Sequence, residues 1–147
     1  MNPLLIKTSD IIAKNTGIGT YCTLCLLDEE GYPTSSVITA SQAKGIFELF
    51  FCTGIGTIKS NKIKRHNKAS VCFSSIEYSI NLVGTIDISV KPEIKSKMWY
   101  GGLNSHFTGP EDPNYCVLHF KTKKYSIFVD WIEQKGNIDN LERGTYE

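Results

Sequence analysis

Between Tyr78 and Val90, the residues Ile80, Leu82, Gly84, Ile86 and Ile88 all share one parity. Alternation of this kind marks a β-strand with one face in a core, because successive side chains point to opposite sides of a sheet. The segment is longer than most strands, so it has to bend, and Gly84 is suited to a bend or bulge. Such a strand needs neighbours of its own kind. Strands are expected over 19–28, from Pro33 to about Ser41, and over 46–53, 69–75, 115–121 and 125–132. Between them lie turn signals: Asp28-Glu29-Glu30-Gly31, with Gly31 suited to positive φ, then Lys44-Gly45, Asn67-Lys68 and Thr122-Lys123-Lys124. Six or seven mostly antiparallel strands in sequential hairpins predict a mainly β fold that closes into a barrel, since closure removes exposed edges.

Short helices punctuate this pattern. One is expected over 4–14, ended by Asn15-Thr16-Gly17, and a basic, solvated one over 58–66. A third starts at Lys91-Pro92-Glu93, carries Met98, Trp99 and Tyr100, and breaks at Gly101-Gly102. A loop fills 101–114, and 134–147 reads as a polar, loosely held tail. With no repeat or linker, residues 1–147 are expected to form one domain, with 1–17 as its N-terminal helix region.

Lys and Arg number 16 against 15 Asp and Glu, so overall charge gives no case for nucleic acid or membrane binding. No apolar run approaches a membrane span, and the N-terminus lacks the pattern of a signal peptide. Five cysteines without disulfide-framework spacing agree with a cytoplasmic protein. Cys22 and Cys25 form a C-x-x-C, but on a strand residues three apart face opposite sides, so buried hydrophobes are the expected reading. No spacing of His, Cys or Asp predicts a metal site. His66 falls on a solvated face, and His119 is expected on a strand with a partner. His106, in the loop, is the one histidine open to a catalytic role.

The stretch Phe51-Cys52-Thr53-Gly54-Ile55-Gly56-Thr57-Ile58-Lys59-Ser60-Asn61-Lys62 joins a strand end, a glycine turn and a helix start. That order makes a place for a phosphate: turn N–H groups point at the anion and Lys59 neutralises it. Lys59 could equally be a surface lysine. Thr57 could simply cap the helix, a role compatible with anion binding.

Four segments together resemble the FMN-binding split-barrel family related to pyridoxamine 5′-phosphate oxidase, nearest its general-stress-protein branch. They are Gly31-Tyr32-Pro33-Thr34-Ser35-Ser36-Val37; Phe51-Cys52-Thr53 with Thr57, Lys59 and Ile63; Asn67-Lys68-Ala69-Ser70-Val71-Cys72-Phe73; and Leu82-Val83-Gly84-Thr85-Ile86 with Trp99 and Phe107-Thr108-Gly109-Pro110-Glu111-Asp112-Pro113. The resemblance implies an antiparallel split barrel, a homodimer, and FMN near the subunit interface. It assigns the phosphate to Thr57, Lys59 and Lys62 with Ile58 beside them. It sets Thr53 and Cys52 on the flavin-facing strand, Val37 and Ile38 beside the ring through backbone groups, and Ser36 among the cofactor-binding positions. Where the family often carries an Arg and a second basic group, this chain has Ser36 and Ser41, which implies weaker phosphate binding. The C-terminal substrate-binding segment of true pyridoxamine phosphate oxidases has no counterpart. The resemblance therefore implies an FMN-dependent oxidoreductase moving hydride from a nicotinamide or similar donor to a small acceptor. Alternatives on the same fold are a non-enzymatic flavin-binding or sensing protein, or a binder of haem or a deazaflavin. Trp99 stays open between cofactor contact and packing.

Overall fold

The computed structural model describes residues 2–147. Among them, eight strands and three α-helices run in the order α1 (Pro3–Lys14), β1 (Cys22–Leu27), β2 (Pro33–Ile38), β3 (Ala40–Lys44), β4 (Glu48–Gly54), α2 (Ile58–Arg65), β5 (Lys68–Ser74), β6 (Ser79–Ser89), α3 (Pro92–Met98), β7 (Tyr115–Val129) and β8 (Ile132–Asn137). One antiparallel sheet follows the path β2-β1-β5-β6-β7-β4-β3, and β8 joins β7 beside it. The ends of this path, β2 and β3, are consecutive in the chain and meet at Thr39. The sheet therefore curls back on itself as the split barrel that the alternation and the resemblance imply.

The alternation is a burial pattern. Cys22, Leu24 and Leu26 of β1, Ala69, Val71 and Phe73 of β5, and Ile80, Leu82 and Ile86 of β6 fill the main core. Each aliphatic side chain so buried stabilises the fold by about 2 kcal/mol, so a one-residue slip, which would turn the whole set outward, is strongly disfavoured. Helix α1 lays Leu5 and Ile12 on this core, and the Asn2 side chain accepts from the amides of Leu4 and Leu5 at its start.

Strand β4 is buried on both faces. Leu49 and Phe51 enter the main core, while Phe50 joins a second cluster with Met98, Leu103, Tyr115 and Val117. β4 is thus a wall between two apolar clusters, and its C-terminal end emerges between them.

Four expectations need correction. Residues 122–124 are not a turn, because β7 runs unbroken through them. Its main-core parity is even at Cys116, Leu118 and Phe120 and odd at Tyr125, Ile127 and Val129, while Tyr115 and Val117 face the second cluster. The switch comes from a bulge, where the β6–β7 register shifts between Val83 and Gly84. Second, the chain after 134 is tied in: β8 pairs with β7, and Ile138 and Tyr146 are buried. Third, the strand begun at Pro33 breaks at Thr39 to form the barrel corner. Fourth, α3 ends at Met98, and Gly101–Ser105 forms a 3-10 turn.

The β7–β8 turn uses Asp130 and Trp131, with φ of 54° and 64°. Left-handed backbone costs a non-glycine residue about 1–2 kcal/mol. The Trp131 side chain is 86% exposed, so little burial offsets that cost. Trp131→Gly is expected to raise stability by about 1 kcal/mol, read as a higher urea midpoint at unchanged m-value.

Candidate functional site

Where β4 ends, Gly54, Ile55 and Gly56 turn the chain into α2. Thr57 is the helix cap, and its Oγ1 accepts from the Ser60 amide at 3.3 Å. The Gly54 carbonyl receives two hydroxyls, Thr57 Oγ1 at 3.0 Å and Ser60 Oγ at 2.7 Å. The Ile55 amide donates to the Asn114 carbonyl at 2.8 Å, which ties the turn to the loop before β7. Held this way, the turn leaves the amides of Gly56, Thr57, Ile58 and Lys59 without an acceptor among the described residues. These orphan donors at a helix start create a positive local potential.

A groove of about 350 Å³ opens over them, lined by Ser36, Thr53, Thr57, Ile58, Lys59 and Lys62. Three elements supply it. Thr53 shares the parity of Leu49 and Phe51, so it continues the barrel-interior face of β4 to the mouth. Ser36 comes from β2 on the face shared with Thr34 and Ile38. Lys62 reaches across and donates from Nζ to Thr34 Oγ1 at 2.8 Å, fastening α2 to β2. Neither Lys59 nor Lys62 makes an ion pair among the described residues. Lys62 is engaged by the Thr34 hydroxyl, whereas the Lys59 ammonium has no hydrogen-bond partner there.

Six of the nine expected residues therefore meet in one place, and three lie elsewhere. Val37 is on the opposite face of β2 from Ser36 and is 64% exposed. Ile38 packs against the main core. Cys52 has the opposite parity to Thr53 and enters the second cluster, where its Sγ lies 3.3 Å from the Met98 carbonyl and 3.5 Å from the Tyr115 hydroxyl. Burial pushes the Cys52 thiol up, so it is not poised as a nucleophile. Ser41 is also away from the groove and donates to the Phe50 carbonyl at 3.1 Å.

The remaining candidates sort by position. His119 is on β7, its Nε2 2.6 Å from Glu48 and its ring stacked on Phe50. His66 and His106 are exposed. Trp99 packs edge-on against Tyr115 at a centroid distance of 5.3 Å. Cys22 and Cys25 face opposite sides of β1, and burial raises the Cys22 thiol to about 12. Sequence reading passed over Lys95, a lysine one helical turn before Met98 on the buried stripe of α3. A basic residue on an apolar stripe was the available signal.

Comparison with known proteins follows the same lines. The chain resembles the crystal structure of a protein related to general stress protein 26 from Clostridium acetobutylicum, with a TM-score of 0.82 and 21% identity over 95% of this chain and 97% of that one. It also resembles a pyridoxamine 5′-phosphate oxidase-related, FMN binding protein from Nostoc punctiforme, with a TM-score of 0.71 and 13% identity over 94% of this chain and 98% of that one. A heme binding protein from Mycobacterium smegmatis matches with a TM-score of 0.71 and 14% identity, over 93% of this chain and 59% of that one. At such identities these likenesses speak for the fold. A sequence search of curated proteins returned no match. The family model described as Pyridoxamine 5′-phosphate oxidase like, however, matches residues 11–138, nearly the whole barrel, and the chain belongs to that family.

Proposed function

We propose that this chain binds FMN by its phosphate in the groove beneath Lys59 and acts as a flavin-dependent oxidoreductase on a small acceptor. The observation that carries the reading is the run of acceptorless amides from Gly56 to Lys59, with an unpaired ammonium at its end. A phosphate brings near-dianionic charge and three acceptor oxygens, which match this donor set. FMN, once bound, supplies the hydride and electron chemistry. The chain's own residues bind and orient: Lys59 and the turn amides hold the phosphate, Lys62 keeps α2 against β2, and Thr53 and Ser36 wall the tail.

The groove volume, about 350 Å³, suits a phosphate and its polyol chain better than a whole flavin. A further wall is needed for the ring. Ile58, 75% exposed in the groove lining, and Val37, 64% exposed on the opposite face of β2 from Ser36, offer apolar surface for a second copy of the chain. This supports a homodimer with the ring near the interface.

Flavin is preferred over haem on the groove's composition. Haem iron takes axial His, Cys, Met or Tyr ligands, and none of the six lining residues is of those types. Among the described residues no helix is long and apolar enough to cross a membrane. Five free cysteines agree with a reducing cytoplasm.

A non-enzymatic sensing role is the second reading. Ser36 contributes a hydroxyl where a cation would strengthen the groove, and Lys62 is partly engaged by Thr34. Weak, reversible flavin retention is the consequence. Both readings meet one experiment. Purified protein is titrated with FMN and then given reduced nicotinamide under anaerobic conditions. Saturable binding followed by loss of visible flavin absorbance supports the oxidoreductase. Binding without bleaching supports the sensor, and no binding overturns both.

A further inference from the structure

Lys95 is 7% exposed. Lysine is seldom buried so deeply without a counter-ion, because stripping water from an ammonium is costly. Yet Lys95 makes no ion pair among the described residues. Its one hydrogen bond goes from Nζ to the main-chain carbonyl of Asp112, at 2.9 Å. The Tyr115 ring lies on another side, with its centroid 5.2 Å from Nζ. An ammonium has three N–H donors, so two remain uncommitted.

The Asp112 carboxylate is committed elsewhere. Its Oδ2 accepts from the amide and hydroxyl of Thr108 at 2.9 and 3.2 Å, and Oδ1 accepts from the Asn114 amide at 2.8 Å. These bonds, the Thr108 amide foremost, hold its pKa below the usual carboxylate value, and Lys95 adds a smaller attraction. Asp112 therefore shapes the loop and attracts Lys95 only from a distance.

Lys95 lines a cavity of about 670 Å³ between α3 and residues 108–113. That volume lies well inside the range of small-molecule pockets. Val90, Pro92, Pro110 and Pro113 supply apolar wall, and Glu111 is the exposed acid of its lining. No lining residue is shared with the groove at Lys59.

We propose that this cleft binds a small organic carboxylate. The carboxylate accepts the free N–H groups of Lys95 and supplies the counter-ion that the buried ammonium lacks. The apolar body of the ligand rests on Val90 and the three prolines. A monoanion is favoured over a phosphate ester, because Lys95 is the sole cation of the lining and Glu111 repels added negative charge. The inference stands apart from flavin binding.

Benzoate, benzamide and phenyl phosphate are titrated into isotope-labelled protein without FMN and followed by amide NMR. Benzoate is expected to give saturable shifts at Lys95, Ser96, Thr108 and Glu111, and none from Thr57 to Lys59. Benzamide, which keeps the shape and loses the charge, is expected to bind at least about 10-fold more weakly, and phenyl phosphate more weakly than benzoate. Lys95→Met is expected to abolish the benzoate response with an unchanged circular dichroism spectrum. If that variant does not fold, Glu111→Gln at the exposed rim provides the test, with several-fold tighter benzoate binding expected. Absence of saturable shifts at the cleft, equal binding of benzamide, tighter binding of phenyl phosphate, or no change in Glu111→Gln would each overturn the assignment.

Discussion

Gly84→Ala is expected to cost the fold at least about 3 kcal/mol, which for a chain of this length lowers Tm by roughly 10 °C. A Cβ at Gly84 would lie 1.9 Å from the Lys121 carbonyl oxygen, 2.9 Å from its carbon and 3.0 Å from the Thr122 Cα. All three are backbone atoms of the neighbouring strand, so no side-chain rotation relieves the clash. Relief requires β6 and β7 to part where their register shifts, the longest pairing in the sheet. The same substitution at Gly101 meets nothing within 4 Å and should change stability by less than about 0.5 kcal/mol. Urea and thermal unfolding of both variants checks this. Equal stability of the two would mean that β6 and β7 do not approach closely at the bulge.

The same bulge shows where sequence reading reaches its limit. Strict alternation at Ile80, Leu82, Gly84, Ile86 and Ile88 was legible because one face of β6 is buried and the other is not. In β7 the buried parity switches across Lys123-Lys124, two exposed residues in succession. A one-dimensional pattern cannot tell such a bulge from a turn, since both insert polar residues and reset the parity. The partner strand decides the matter, and Gly84 lies opposite Thr122. β4 hides its parity for a different reason. Leu49, Phe50 and Phe51 are all buried because clusters lie on both faces, so alternation is erased just where Cys52 and Thr53 had to be told apart. Lys59 and Thr57 escaped this ambiguity because a strand end, glycines and a capping hydroxyl are local signals. Lys95 did not, since its burial depends on the distant loop around Asp112 closing over α3. The β8 strand was hidden by its polar composition: Glu133, Lys135 and Asn137 are exposed on one parity, so little apolar signal marked it.

Lys59→Met is expected to weaken FMN binding about 30-fold while leaving the fold unchanged. A hydrogen bond to a charged group contributes about 1.5–3 kcal/mol, and 2 kcal/mol corresponds to about that factor in Kd. The substitution keeps the apolar stem and removes an ammonium that holds no hydrogen bond among the described residues, and Lys59 anchors no other residue through an ion pair. The amides of Gly56, Thr57, Ile58 and Lys59 persist in the variant, so binding should weaken rather than vanish. Two further readouts separate a lost charge from a disturbed turn. Added salt should weaken FMN binding to the native protein more than to Lys59→Met, because screening acts on the charge that the variant lacks. Ser36→Arg, which adds a cation to the opposite wall of the groove, should tighten binding by about 10-fold and restore much of the affinity when combined with Lys59→Met. Fluorescence titration of FMN against the four proteins at two salt concentrations measures all of this. Unchanged affinity in Lys59→Met, with Ser36→Arg equally silent, would place the flavin phosphate somewhere other than the turn between β4 and α2.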